Sequence, residues 1–314
     1  MSVSTVRTTT TTATQQAARF RRLERGVQLR YVLLLLPALV FLFVFYGYPV
    51  AAMLMRSFND PAWGLENFRK LTNVRRHENF LALSIPSNGY IHVYLITLRI
   101  AGVVTLLTLL LGYPVAYVLA SIRTSRANLL LILVLIPFWT SILVRSYAWM
   151  VLLGREGSIN RAMINLGLRD EPMQLLNTRL AVYVGMVHIL LPFMILPLYS
   201  VMRGIDRSYL RAASNLGAND AKVFRHIFLP LSLPGVAAGC LVVFILSLGF
   251  YITPALIGGP KDIMVSMLIA QQVNTLHWGF ASALALILLV VALVVYLVFN
   301  KILGVDRLYG GART

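Results

Sequence analysis

Few residues in this 314-residue chain are of a kind that does covalent chemistry, and none is spaced for it. The histidines are His77, His92, His188, His226 and His277, and they include no HExxH pair, so no zinc-hydrolase helix is present. Cys240 is the single cysteine, which excludes an intrachain disulfide and any CxxC redox or metal motif. No GxxxxGK[ST] stretch occurs, so the chain has no phosphate cradle and is not expected to hydrolyse ATP itself. All 11 acids fall outside the long apolar runs. A proton-coupled carrier keeps an intramembrane Asp, Glu or His as its relay. Only His188 lies in such a run, and a lone histidine there reads more simply as a hydrogen-bonded packing residue.

The remaining chemistry is that of docking and lining. The stretch 209–235, YLRAASNLGANDAKVFRHIFLPLSLPG, is the most informative. Leu210, Ala213 and Leu216 place small and apolar groups on one face of a short helix, and Gly217 stops it, because a left-handed C-terminal residue is cheap only for glycine. Asn219 or Asp220 caps a second helix whose apolar face is Val223, Phe224 and Ile227. Pro230 and Pro234 are expected to end that helix and aim the chain into the next apolar run. A helix, a glycine elbow and a second helix suit a knob on which a soluble partner pushes.

The elements that position these residues are membrane spans. With 58% hydrophobic and 12% charged residues and a mean hydropathy of +0.76, the composition is far from the ~25% charged of a soluble domain. Runs at 31–55, 100–122, 127–154, 180–202, 231–256 and 278–300 are each long enough for a helix to cross a bilayer. A barrel strand is shorter and alternates polar with apolar. The expected fold is therefore all-α, a polytopic membrane protein with six transmembrane helices. The net charge of +17 and pI of about 10.6 would suggest nucleic acid in a soluble protein. Here the basic residues are divided among short loops, which argues against nucleic acid as a partner. Segments 1–30, 123–126, 203–226 and 301–314 carry 16 Lys and Arg, against 10 in the longer segments 56–98, 154–179 and 257–277. By the positive-inside rule the first set is cytoplasmic and both termini with it, facing anionic membrane lipid. Residues 1–30 form a basic tail, 31–304 the permeation domain and 305–314 a short C-terminal tail. The Thr- and Arg-rich start bears a slight likeness to an organelle transit peptide, but the first span is too long for a secretory signal and reads as an uncleaved anchor. In the outer segment 56–98, Leu65, Phe68 and Leu71 suggest a short amphipathic helix, lying on the membrane or packed on the bundle.

The pattern AAxxLGAxxxxxFxxIxLPLxxPG resembles the EAA loop of permease subunits of type I ABC importers. The matching positions are Ala212, Ala213, Gly217, Ala218, Phe224, Leu229, Pro230, Pro234 and Gly235, with Leu210 at the head of the loop. Arg211 stands where the family has its leading glutamate, which puts a specific carboxylate contact to the ATPase in doubt. LRIAGVVTLLTLLLGYPVAY from Leu98, PFWTSILVRSYAW from Pro137 and FYITPALIGGP from Phe250 are similar to the spermidine/putrescine-type branch, whose relatives include opine importers. The resemblance covers roughly residues 30–304. It implies the type I permease fold in a bacterial inner membrane, a coupling loop at 209–229, an ATPase dimer that binds ATP and Mg, a second permease subunit and a periplasmic solute-binding protein. This chain itself is expected to bind no cofactor or metal.

Candidates for the solute path are Arg145, Tyr147, Trp149, Tyr251 and Thr253. Arg145 lies 18 residues beyond Ala127, about 27 Å along a straight helix, toward the outer end of its span. It either snorkels to the headgroups, pairs with a neighbouring subunit, or lines the path. Tyr147 and Trp149 equally suit an aromatic belt. Tyr251 and Thr253 precede Pro254 in a Gly- and Pro-interrupted helix end, like segments that expose backbone to a cavity, with helix packing the competing explanation. A polyamine is the expected solute by resemblance, although an opine suits Arg145 better. A secondary transporter leaves 209–235 unexplained, and an intramembrane enzyme needs a paired constellation that is absent.

Overall fold

The computed structural model describes residues 31–72 and 89–303. The tails at 1–30 and 305–314, and with them the transit-peptide reading of the start, lie outside the described residues. The described chain is helical, with no strand among the described residues. Residues up to Arg56 form one unit and those from Ser57 another. The first helix, α1, runs Tyr31–Asn59, with a π-helical stretch at Phe43–Gly47.

The second unit is built on three long helices, α3 (Gly89–Ser121), α7 (Arg179–Arg203) and α9 (Asp220–Leu248). Ile100 and Val104 of α3, Met186, Leu190, Met194 and Leu198 of α7 and Val243 of α9 are almost completely buried among one another. Small residues permit this approach. A Cβ on Gly235 would meet Val201 Cβ at 2.9 Å and the Pro197 carbonyl at 3.2 Å, and one on Gly239 would meet Met194 Sδ at 2.7 Å. Gly235 and Gly239 form a GxxxG pair, so α9 lies against the backbone of α7, the contact that dispersion favours where lipid removes the hydrophobic drive. α12 (Trp278–Leu303) and α11 (Val265–Asn274) pack together over Val93 and Leu284. The amphipathic stretch forms α2 (Glu66–Thr72) and packs on the bundle, with Phe68 against Phe58 at 5.2 Å.

Three expectations about the spans change. The run 127–154 is not one straight helix. α4 (Thr124–Leu135) passes through a 3-10 turn, Ile136–Trp139, and at a bend of 91° meets the stretch Ile142–Asn165, made of α5 (Ile142–Leu153) and α6 (Ser158–Asn165). Pro137 removes a backbone donor at the break, and Ser141 begins a new helix by accepting the Leu143 N–H. The straight-helix depth assigned to Arg145 therefore does not hold. Five helices are long and apolar enough to cross a membrane, and this bent pair, counted as one broken span, brings the number to the six expected. Nor do Pro230 and Pro234 end a helix. Residues Asp220–Leu248 are continuous, because the chain widens into a π turn at Phe224–Phe228 just where Pro230 would clash with a regular α turn. The run 231–256 also ends early, at Leu248, and α10 (Ile252–Ile257) follows as a separate short helix.

Candidate functional site

At the end of the bundle where α7 emerges, α8 (Arg207–Asn215) begins with Asp206 as its cap, accepting the Ser208 N–H at 2.8 Å. That hydrogen bond, with the Arg211 charge nearby, holds the exposed Asp206 carboxyl below the usual carboxylate range. α8 closes on Gly217, whose φ is +85°, while the Ala218 N–H returns to the Ala213 carbonyl at 3.1 Å. Asn219 then caps α9 by accepting the Lys222 N–H at 2.9 Å. Of the two caps open to the sequence, Asn219 is the one used.

The loop is rooted on one side and bare on the other. Val223 and Phe228 are buried, and Phe224 and Phe228 stand edge-on to Tyr117 of α3 at 5.6 and 5.0 Å between ring centres. Tyr113 joins the same helix through the Ser232 hydroxyl at 2.9 Å. Leu210 packs inward with this cluster. Leu216 does not share its face: it sits at the C-cap and is 89% exposed, beside the exposed Arg211 and Ala212. Leu229 and Pro230 follow the π turn at the base of α9.

The path candidates separate into two groups. Trp149 Nε1 donates to His188 Nδ1 at 3.1 Å across α5 and α7. Since indole N–H only donates, the imidazole presents Nδ1 as acceptor and carries its proton on Nε2. Arg145, one turn before Trp149, is half-buried, and its Nε makes no hydrogen bond among the described residues. Ser146 and Thr253, by contrast, share a buried hydroxyl bond of 2.9 Å that pins α10 to α5, so Thr253 packs and faces no opening. Tyr147 and Tyr251 are exposed, at 53% and 43%. The break before α10 has its Phe250 carbonyl satisfied by the Ser266 hydroxyl at 2.6 Å. Beyond α10, Arg179 and the buried Asp262 form an ion pair at 2.6 Å, beside a cavity of about 430 Å³ that Asn177, Gly259 and Lys261 also line. Among the described residues no group of three His, Cys, Asp or Glu is placed to hold a metal.

The model of the binding-protein-dependent transport system inner membrane component matches residues 109–304. The chain belongs to this family. As a family member it is an ABC-type permease subunit and a multi-pass inner-membrane protein. It is 39% identical over 231 residues to the spermidine/putrescine transport system permease protein PotB of Haemophilus influenzae, covering 72% of this chain and 80% of the relative. It is 31% identical over 290 residues to the inner membrane ABC transporter permease protein YdcU of Escherichia coli, covering 87% and 89%. Its fold matches a chain of a bacterial alginate ABC transporter crystallised with an alginate-bound periplasmic protein, with a TM-score of 0.69 at 19% identity over 90% of this chain and 96% of that one. The type I permease fold expected from the sequence is the fold observed.

Several residues of the permease escaped the sequence reading. Tyr113 and Tyr117, which hold the base of the loop, looked like ordinary span residues. Their partners lie over a hundred positions away, and no local spacing signals them. Gly235 counted only as part of the loop motif and Gly239 was not singled out, although the two are readable as GxxxG. His188 gave no sign of its indole partner.

Proposed function

We propose that this permease subunit forms, with a second permease, the path of an ATP-driven importer of polyamines, and that residues 209–229 dock an ATPase subunit. The observation that carries the reading is the loop itself. An apolar residue 89% exposed at its tip, Leu216, stands on a frame whose other face is buried against α3 and α9. A rigid element whose free side carries the exposed Leu216 and Tyr209 fits a docking knob for a soluble protein. The positive-inside bias puts this element on the cytoplasmic side, where an ATPase would be. Hydrolysis is assigned to that partner, since this chain has no GxxxxGK[ST] phosphate cradle.

The identity to PotB supports a spermidine- or putrescine-like solute, delivered by a periplasmic binding protein. No acid lies in the spans, so carboxylates for an ammonium come from the second subunit, and this chain offers the Trp149 indole and the exposed Tyr147 and Tyr251 as cation-attracting faces. Arg145 favours one other solute class, an opine or similar amino-acid-like carboxylate, and keeps that reading as the alternative.

The test uses the assembled transporter in proteoliposomes. In a Cys240→Ser background, Leu216→Cys should cross-link to the ATPase subunit, and labelled spermidine should enter in an ATP- and binding-protein-dependent manner. Uptake driven by an ion gradient without ATP would overturn the proposal, and competition by an opine but not by putrescine would transfer it to the alternative solute.

A further inference from the structure

The proposed coupling loop has a second attachment, formed by two arginines outside the 209–229 segment. α3 ends at Ser121, and its last carbonyls have no partners within the helix. Arg203, the last residue of α7, places Nη1 3.0 Å from the Ala120 carbonyl and 3.1 Å from that of Ile122, and its Nη2 donates to Thr124 Oγ1 at the start of α4. Arg207, in the first turn of α8, places Nη2 2.9 Å from the Ser121 carbonyl and 3.2 Å from that of Ala120. The guanidinium fork of Arg203 and the single Nη2 of Arg207 therefore fill the negative end of a 33-residue helix. They come from either side of the Gly204–Asp206 turn that carries α8.

We infer that Arg203 and Arg207 are positioning residues for energy coupling, which clamp α8 to the α3–α4 corner so that movement of the loop reaches the bent α4–α5 crossing as well as α9. This rests on the proposed role of the loop. Without the clamp, α8 is tied to the bundle through Leu210, the helix after Gly217, and its junction with α7. A push on α8 then turns about the Gly204–Asp206 linker and leaves α4 behind. With it, α8, the end of α3 and the first turn of α4 move as one body. Lysine is a poor substitute, since a single ammonium does not reproduce the planar fork that spans two carbonyls and a hydroxyl.

The test compares Arg203→Ala, Arg207→Ala, the two Lys variants and Gly217→Leu in the full transporter. The readouts are the binding-protein stimulation ratio of the ATPase, uptake per ATP, and cross-linking through Leu216→Cys. The clamp predicts that Arg207→Ala, on an exposed side chain, assembles and still cross-links, while the stimulation ratio and uptake per ATP fall by about fivefold or more. Arg203→Ala should fall further, and the Lys variants should lie between. A normal ratio in Arg207→Ala alongside a lost ratio in Gly217→Leu overturns the clamp and leaves the loop assignment standing. Normal ratios in both overturn the two together. A loss of melting temperature in the Arg variants with an unchanged ratio shows a purely structural tie and also overturns the inference.

Discussion

Replacing Gly217 separates conformation from bulk, because an ideal Cβ at this position meets nothing within 4 Å. The whole penalty of a side chain is then the backbone penalty of φ +85°, about 1–2 kcal/mol for an ordinary L-residue, which is about a 5- to 30-fold change in the population of the elbow. Asparagine tolerates this region better, and a β-branched residue worse than any. The binding-protein-stimulated ATPase of the reconstituted complex is expected to fall in the order Gly, Asn, Ala, Val. Alanine should retain a measurable fraction and valine very little. Hydrogen exchange of the Ala218 amide, which bonds to Ala213 only when the elbow is formed, should rise in the same order. Wild-type stimulation in Gly217→Val would refute the role of the elbow. Equal inactivity of Asn, Ala and Val, with the Ala218 amide still protected, would refute the backbone argument in favour of a partner that simply cannot accommodate a side chain.

Gly235→Leu is expected to force α9 from α7, since its Cβ alone would sit 2.9 Å from a branched Val201 carbon; a loss of about 1–3 kcal/mol should appear as a lower melting temperature in detergent. Gly102→Ala, with nothing within 4 Å in mid-α3, serves as the contrasting control and should be neutral or slightly stabilising. Because the Asp206 carboxyl is held below its usual range, its contribution to the α8 cap is present above the ordinary carboxylate pKa and is lost as pH falls through the lowered one. The protection of the Ser208 amide, taken against the intrinsic exchange rate at each pH, should therefore fall only in acid, and that acid response should vanish in Asp206→Asn. Ser146→Ala with Thr253→Val is expected to show a coupling of about 1 kcal/mol in a double-mutant cycle on thermal stability, since the Thr253 hydroxyl bonds to that of Ser146 across α5 and α10 while Ser146 donates its own proton to the Ile142 carbonyl.

Local signals carried most of the architecture. Charge-free runs located the crossings, and Gly217 and Asn219 were readable because a positive φ and an N-cap each select a residue type at one position. The misjudged features all depend on distant or competing geometry. Pro230 reads as a terminator by itself, and only the π turn at Phe224–Phe228 lets the helix continue. Pro137 sits in a run as apolar as its neighbours, so hydropathy shows no 91° bend. Leu216 shares a spacing with Leu210 and Ala213, yet the helix ends at Asn215 and turns it outward. Arg203 and Arg207 register in the sequence only as charges on the inner side, because the carbonyls they bind lie more than eighty residues earlier.

The corner between α4 and α5 has a consequence for solvation. α4 and the 3-10 turn that extends it run Thr124–Trp139, about 26 Å in all, against roughly 30 Å of hydrocarbon. The chain therefore turns while still at membrane depth, with Trp139 89% exposed and the backbone of Thr140 extended. Peptide groups released from a helix at that depth are tolerated only when protein or a column of water covers them. This corner of the subunit is thus better matched to protein or water than to acyl chains.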